Sequence, residues 1–128
     1  MNNYPAGAHE SPEARFLAEL ASGTPQVQCC QGCGRRFFQP NIQCPHCRSQ
    51  DYQWVAMGLG GSVYSYSTVH AAPGSAPYNV VLVDMDDGFR MMSTVPGATL
   101  DAGWIGARVQ ARVDADTQPP RLVFAGVQ

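Results

Sequence analysis

Lysine is absent from this sequence, and all eight basic residues are arginines. Ten acidic residues outnumber them, which gives a net charge of −2, and charged residues make up only 14% of the chain. Proteins that bind the phosphate backbone of nucleic acids usually carry a concentrated positive surface. The charge composition therefore argues against nucleic acid as a partner.

Long apolar runs are also lacking. No segment approaches the ~20 apolar residues that a membrane-spanning helix requires. The N-terminus has no basic segment followed by an apolar stretch, so no secretory signal is predicted. We expect a cytoplasmic protein with no membrane partner.

The five cysteines lie between residues 29 and 47, a concentrated and odd-numbered set that does not suit a secreted disulfide framework. Four of them form two Cys-x-x-Cys motifs, Cys30–Cys33 and Cys44–Cys47, separated by ten residues. Each motif turns tightly enough to direct two sulfurs at one point, and two motifs complete the tetrahedron that Zn²⁺ accepts. Because no ligand position stays open, the pattern predicts one structural Zn²⁺ per chain.

Two other interpretations of these motifs stay open, namely a disulfide or redox pair and an iron ion in the same four-sulfur geometry. No thioredoxin-like βαβ pattern surrounds either motif, which disfavours the redox interpretation. Cys29 lacks the required spacing to Cys33 and is predicted to be a non-ligating thiol. His46, inside the second motif, is predicted to lie at the surface and point away from the metal.

The chain is predicted to consist of four segments: a disordered N-terminus at 1–11, a docking helix and linker at 12–26, a zinc ribbon at 27–53 and a β-barrel domain at 54–128. Ser11 is a suitable N-cap with Pro12 at the first helical position. An apolar stripe at helical spacing and Gly23 as a stop predict a helix over about 12–21. So short a helix must dock on the ribbon, the barrel or a partner to be stable.

The second half of the chain reads as strands, at about 62–70, 78–85, 89–95, 109–113 and 121–127. The 78–85 run is the most apolar, and Asp86-Asp87-Gly88 is a hairpin signal after it. Residues 109–113 alternate between apolar and polar side chains, as a half-buried strand does. Five short strands predict a mainly β fold with a small closed barrel.

Several motifs stand in a characteristic order: Cys30-x-x-Cys33-Gly34, Phe37-Phe38-Gln-Pro40, Cys44-Pro45-x-Cys47, Trp54, Gly61-x-Val63-Tyr64-Ser65-Tyr66-x-x-Val69-His70 and Pro77-Tyr78. Over about residues 14–125 the chain thereby resembles a family of small proteins with a rubredoxin-like zinc ribbon followed by an OB-fold. That family was long catalogued as a domain of unknown function and is associated with acyl-CoA enzymes. The resemblance implies a short N-terminal helix, the ribbon and a five-stranded OB-fold barrel.

The same resemblance implies a function. Members are typically non-catalytic accessory subunits that dock on a thiolase-like enzyme, an aldolase, an acyltransferase or a hydratase. It therefore implies a thiolase-like or related catalytic partner, and an OB-fold that helps to hold the CoA thioester.

Two departures from the family pattern concern the ribbon. Arg48 stands where glycine is usual after the second motif, and the aromatic-proline stretch has one proline where two are common.

Six residues are candidates for contact with CoA or a partner. Arg35 and Arg36 could place guanidinium groups near a CoA phosphate, since the planar fork of arginine binds phosphate at two points. Of Phe37 and Phe38, one is expected to pack under the zinc, and Phe38 is the candidate interface anchor. Period-two spacing places Tyr64, Tyr66 and His70 on one face of a strand; barrel packing of the tyrosines is the competing interpretation.

A single-stranded nucleic-acid-binding protein is the alternative function, because zinc ribbons and OB-folds both serve that role and strand aromatics can stack on bases. The acidic balance and the absence of lysine count against it. No serine triad, paired carboxylates or glycine-rich phosphate loop is present, so no catalytic residue is predicted.

Overall fold

The computed structural model describes residues 11–70 and 72–127 of the chain. One helix, α1 (Pro12–Ala21), precedes eight strands: β1 (Gln26–Cys30), β2 (Arg36–Phe37), β3 (Tyr52–Ala56), β4 (Gly60–Val69), β5 (Tyr78–Met85), β6 (Arg90–Ser93), β7 (Arg108–Asp114) and β8 (Arg121–Gly126). The predicted mainly β fold class with one short helix is confirmed. The predicted disorder of residues 1–11 falls, except for Ser11, outside the described residues.

Two compact units make up the chain. The ribbon unit comprises residues 1–57 and 115–120, and the barrel unit comprises residues 58–114 and 121–128. Within the part of the chain that the structure describes, no helix has the length and apolarity to cross a membrane.

Helix α1 begins and ends where the sequence predicts. The Ser11 side chain accepts a hydrogen bond from the Ala14 N–H at 3.1 Å, which satisfies one free amide of the first turn. Gly23 follows the helix with φ +87°, a left-handed conformation that glycine adopts without steric cost. Phe16 and Leu20 are buried, and the ring of Phe16 packs edge-on against Phe38 at a centroid distance of 5.5 Å. The helix therefore docks on the ribbon.

The ribbon unit is built on a three-stranded antiparallel sheet in the order β2-β1-β3. Strand β3 pairs with the whole of β1, from Gln26 opposite Ala56 to Cys30 opposite Tyr52. Trp54 thus lies on the last ribbon strand, and the ribbon sheet runs three residues past the predicted end at residue 53. The reason is that all five residues of β1 pair with β3. A boundary placed from the cysteine motifs alone does not take this strand pairing into account.

The barrel unit is a five-stranded antiparallel sheet in the order β6-β5-β4-β7-β8. Its ends approach each other, because the Phe124 N–H of β8 donates to the carbonyl of Thr94, just after β6, at 2.9 Å. The interior is filled by side chains from every strand and from the loop after β6: Val63, Val81, Val83, Met85, Met91, Val95, Leu100, Val109, Ala111, Leu122, Val123 and Phe124. These side chains form the core of the barrel unit.

Close packing at the start of β4 requires glycine. A Cβ on Gly61 would lie 2.6 Å from a methyl carbon of Val83 and 2.8 Å from the Asp84 carbonyl oxygen. Nearby, the Asp87 carboxylate accepts the Gly58 N–H at 2.7 Å. The hairpin between β5 and β6 is thereby fastened to the beginning of β4.

A β-bulge interrupts β4. Val63 lies opposite Val83, but the next pair along the strands joins Ser65 to Leu82, so that Tyr64 has no cross-strand partner. A bulge inserts one residue and reverses the alternation of faces beyond it. The consequence for the side chains of β4 is described with the candidate sites below.

Candidate metal centre and surface sites

Four cysteine sulfurs converge at one end of the ribbon sheet. The Sγ atoms of Cys30, Cys33, Cys44 and Cys47 all lie within 4.8 Å of one another. Two of the separations are 3.5 Å, from Cys30 to Cys47, and 3.7 Å, from Cys33 to Cys44. A regular tetrahedron of sulfurs at ~2.3 Å from Zn²⁺ has edges of ~3.8 Å. The donor set therefore fits a four-coordinate metal ion that prefers thiolate ligands.

The two cysteine turns are built alike. In the first, the Cys30 N–H donates to the Arg35 carbonyl and the Gly34 N–H donates to the Cys30 carbonyl; in the second, Cys44 pairs with Ser49 and Arg48 in the same way. Gly34 has φ +78°, and Arg48, at the equivalent position, has φ +67°. Arg48 thus occupies a left-handed position that favours glycine, at a cost of ~1 kcal/mol. Its side chain does not change the hydrogen bonding of the turn.

Backbone amides point at the sulfurs. The N–H of Cys33 is the main cause that lowers the pKa of the Cys30 thiol to about 6, with a further contribution from the N–H of Gly32. For Cys44, burial raises the thiol pKa, but the amides of Cys47 and His46 outweigh it and the pKa is lowered. At Cys47 the Ser49 amide lowers the pKa, yet the neighbouring Cys30 thiol and burial raise it to about 11. Binding of a cation by this cluster would therefore displace a proton from Cys47, because a thiol must be deprotonated to act as a ligand.

An aromatic layer supports the inner sulfurs. Cys30, Phe37 and Cys44 form a buried cluster, and the Phe37 ring meets Tyr52 edge-on at 6.2 Å. Phe37 thus has the position expected for the residue under the metal. Phe38 is half-buried against Phe16. This contact joins Phe38 to α1, and the predicted role of Phe38 as a partner anchor stays a prediction.

The predicted arginines have different surroundings. Arg35 is exposed, with its guanidinium 3.2 Å from Nδ1 of His46, which lies at the surface as predicted. Arg36 is half-buried, and its guanidinium donates to the Ala56 carbonyl at 3.5 Å. Cys29 is half-buried next to the Gly34 carbonyl, outside the sulfur cluster. Of the two predicted phosphate contacts, Arg35 is the more accessible.

The prediction that Tyr64, Tyr66 and His70 share one face is wrong. Tyr66 lies opposite Val81, which is fully buried, whereas Tyr64 occupies the bulge and is 52% exposed. The Arg90 guanidinium stacks on the outer side of the Tyr64 ring, 3.7 Å from its centroid, and pairs with Asp84 at 2.7 Å. His70 is exposed beyond the end of β4. Period-two spacing failed because the bulge adds a residue between the two tyrosines.

A groove lies on the outside of the barrel unit, at the start of β5 and the end of β6. Its volume is about 650 Å³, and its walls include Tyr78, Val80, Met92 and Pro96. The loop that forms one side is held by Asn79, whose buried side-chain amide bonds the Val95 N–H, the Val95 carbonyl and the Ala98 carbonyl. These hydrogen bonds fix the position of the loop that forms one wall of the groove.

Two buried amides were missed by reasoning from the sequence. Asn79 is one, and Gln28 is its counterpart in the ribbon, where it accepts from the Asn41 N–H at 3.0 Å and donates to the Asn41 carbonyl at 2.6 Å. Each holds a loop in place through paired hydrogen bonds. A single amide side chain within an apolar strand was the available signal, since such a group is buried only when its hydrogen bonds are satisfied.

Comparison with known proteins finds a family model that matches the part of the chain after the ribbon. Residues 54–114 match the family model of the ChsH2 C-terminal OB-fold domain. A DUF35 domain-containing scaffold protein from Methanocaldococcus jannaschii is 30% identical over 87 residues, which cover 64% of this chain and 62% of that protein. The OB-fold and the resemblance inferred from the sequence are confirmed.

Other relatives have names from acyl-CoA metabolism. A probable enoyl-CoA hydratase alpha subunit from Thermomonospora curvata is 36% identical over 65% of this chain and 27% of that protein. The benzoylsuccinyl-CoA thiolase subunit BbsA from Thauera aromatica is 27% identical over 54% of this chain and 49% of that subunit. These alignments, like the archaeal one, span less than two thirds of the relatives' own length.

One solved structure matches almost throughout. A chain of the Ltp2-ChsH2(DUF35) aldolase superposes with a TM-score of 0.77 and 29% identity, over 96% of this chain and 98% of that chain. The match extends across the cysteine turns as well as the barrel, so the order of ribbon and OB-fold is common to both proteins.

Proposed function

We propose that this chain, which carries a ChsH2-type OB-fold and is homologous to DUF35 scaffold proteins, is a non-catalytic accessory subunit of an acyl-CoA-processing complex. The near full-length match to a chain of the Ltp2-ChsH2(DUF35) aldolase is the observation that carries the proposal. Its catalytic partner would be a thiolase-like enzyme, an aldolase, an acyltransferase or a hydratase, with the thiolase-like enzyme first because of the likeness to BbsA.

The arrangement of ionisable groups supports an accessory role. The three carboxylates around the β5–β6 hairpin are engaged in structural contacts: Asp84 with Arg90, Asp86 with Arg108, and Asp87 with the Gly58 amide. The sulfur cluster already has four protein ligands and leaves no place for a substrate. Chemistry on the thioester is therefore assigned to the partner subunit.

The metal is proposed to be Zn²⁺ with a structural role. Four thiolates in tetrahedral reach suit Zn²⁺, and iron is the competing ion for the same donor set. When bound, the ion ties the two cysteine turns together and needs no redox chemistry. Such free thiolates persist in a reducing compartment, which agrees with a cytoplasmic location.

The chain is further proposed to help hold the CoA thioester at the partner's active site. Arg35 is the candidate contact, because its guanidinium is exposed and can reach a phosphate of a bound CoA. Arg36, Tyr64, Tyr66 and His70 are weaker candidates for direct contact. An Arg35→Ala variant of the assembled complex should raise KM for the thioester with kcat retained, whereas equal kinetics would remove Arg35 from this role.

Affinity purification of the tagged full-length chain from its native cell tests the proposal. We expect a stoichiometric catalytic subunit whose activity on a CoA thioester falls when the chain is removed and returns when it is added back. Recovery of the chain alone would reject the accessory role. Recovery with nucleic acid that high salt displaces would support the alternative nucleic-acid-binding function, which the pairing of Arg90 and Arg121 with carboxylates disfavours.

A further inference from the structure

Strand β5 is apolar on both of its faces from Val80 to Val83. Its inward side chains Val81 and Val83 are fully buried in the barrel core. Its outward side chains alternate with these: Tyr78, Val80 and Leu82 are apolar, and the fourth, Asp84, is charged and exposed. A strand that reads as a continuous apolar run is typical of sheets that are covered on both sides.

Strand β7 provides the internal comparison. Its buried residues are Val109 and Ala111, and the residues that alternate with them are Arg108, Gln110 and Arg112, all exposed. This is the pattern of a strand with one face in the core and one in water. The outside of the same barrel is thus polar at β7 and apolar at β5, which marks the β5 side as a contact surface.

The apolar surface extends to β6, whereas on β4 two serines, Ser65 and Ser67, lie opposite Leu82 and Val80. Met92 of β6 lies opposite Leu82 and is 66% exposed, the highest exposure among the large apolar residues described. Tyr64, which the bulge turns outward, lies at one end, and the groove beside Tyr78 lies at the other. We call this surface the outer face of β4–β6, defined by Tyr64, Tyr78, Val80, Leu82 and Met92.

The size and charge of this face restrict its occupant. Three strands ~4.8 Å apart over about seven residues of ~3.3 Å give ~300–400 Å². A second copy of the chain placed on the same face would bury roughly 700 Å² in total, below the ~1,200 Å² of stable interfaces. Each charge on or beside the face has a partner: Arg90, which lies over the Tyr64 ring, pairs with Asp84, and Arg121, which lines the groove, pairs with Asp114. The face therefore suits an uncharged, apolar part of a larger partner whose contact continues beyond it.

We infer that the outer face of β4–β6 is the surface on which the catalytic subunit packs, with an apolar protrusion of that subunit in the groove beside Tyr78 and Met92. This inference rests on the proposed accessory function and names the interface that function needs. The sequence predicted a docking helix within residues 12–26, whereas the barrel supplies the large exposed apolar residues of the described chain apart from Ile42.

A charge placed on this face tests the inference with the full-length chain and the catalytic subunit obtained above. Met92→Glu should raise the dissociation constant of the complex at least ten-fold, because the carboxylate would be buried against an apolar surface. Ile105→Glu is the matched control, since Ile105 is an exposed apolar residue of the same barrel outside this face, and it should leave the constant within two-fold. Equal melting temperatures establish that both variants fold.

Methionine oxidation gives a second readout that needs no variant. Met92 is exposed and Met91 is buried, so peroxide should oxidise Met92 first in the free chain. In the complex the oxidation rate of Met92 should fall at least ten-fold.

Unchanged oxidation together with wild-type binding by Met92→Glu would overturn the inference and leave the accessory function standing. Absence of any wild-type complex would reject the function itself, and a dimer of the chain alone that Met92→Glu dissociates would assign the face to self-association.

Discussion

The ribbon unit and the barrel unit are both small β structures, but different forces hold them. The barrel has a continuous core of aliphatic and aromatic side chains from all five strands. The ribbon has a two-residue strand, two cysteine turns and few buried apolar residues beyond Phe16, Leu20, Val27, Phe37 and Met57. A unit with so little apolar burial depends on a metal ion or another covalent constraint. The comparison teaches that one chain can divide its stability between coordination and packing.

Metal removal should produce the largest difference between the units. With a chelator, or with Cys44→Ser, we expect the amide NMR signals of β1–β3 to collapse while those of β4–β8 persist. The reason is that the binding free energy of a structural zinc, on the order of 10–16 kcal/mol in small peptides, is folding free energy. Cys29→Ser is the control and should retain one metal ion per chain, because Cys29 lies outside the sulfur cluster. Ribbon signals that survive without metal would contradict the comparison.

Shortening a core side chain of the barrel should destabilise the barrel and leave the ribbon intact. Phe124 is 1% exposed at the centre of β8, and Phe124→Ala should lower the free energy of unfolding of the barrel by about 3–5 kcal/mol. Urea denaturation followed by barrel signals measures this, and the metal content should stay unchanged. Met92→Ala, at an exposed site, should change stability little. If Phe124→Ala lost its metal as the barrel unfolded, the stability of the ribbon would depend on that of the barrel.

A substitution of Arg48 should increase the stability of the ribbon. Replacement of Arg48 by glycine should stabilise the metal-loaded ribbon by ~1 kcal/mol, because the left-handed φ of +67° is free of strain in glycine. Competition with a chromophoric chelator should show a metal affinity about five-fold higher. Gly34→Ala, at the equivalent turn with φ +78°, should weaken binding. Equal affinity in all three proteins would mean that the turns carry no strain.

Acid should act on the barrel through Asp86, with the smallest effect. Hydrogen bonding to Arg108 lowers the pKa of the Asp86 carboxyl, at distances of 2.6 and 2.9 Å. A carboxyl whose pKa is lower in the folded state stabilises the protein above its ordinary pKa and loses that contribution as the pH falls through the folded value. Urea midpoints of wild type and Asp86→Asn should therefore differ at pH 7 and converge below pH 4. Since both groups are exposed, the difference should be small and should shrink in high salt. If the difference between the two urea midpoints were the same at every pH, it would have a cause other than the ionisation of Asp86.

Much of the local structure was predictable. The bounds of α1 followed from a cap, a proline and an apolar stripe, all of which are neighbours in sequence. The cysteine set followed from spacing, because two short turns impose their own geometry. The glycine that is usual at position 48 in the resembling family drew attention to Arg48, whose backbone is left-handed. The helix and each cysteine turn depend on contacts within about five residues.

The features that were missed depend on distant residues. The pairing of β3 with β1 extends the ribbon sheet past residue 53, and no local pattern distinguishes a ribbon strand at Trp54 from a barrel strand. The bulge at Tyr64 is defined only against β5, and it separates two tyrosines that strict alternation would unite. Phe38 was expected to be an exposed aromatic and is half-buried, because its ring packs against Phe16 of α1.

The sequence by itself determined the four clustered cysteines, the helix and the run of strands, because cysteine spacing, capping and turn chemistry are short-range. Only the tertiary structure decided which side chains face outward, since that depends on register and on one inserted residue. It thereby moved the candidate contact surface from a predicted row of Tyr64, Tyr66 and His70 to the apolar outside of β4–β6. The physical reason is that a strand's pattern reports how many of its faces are covered, whereas its partners in the sheet decide which face each residue occupies.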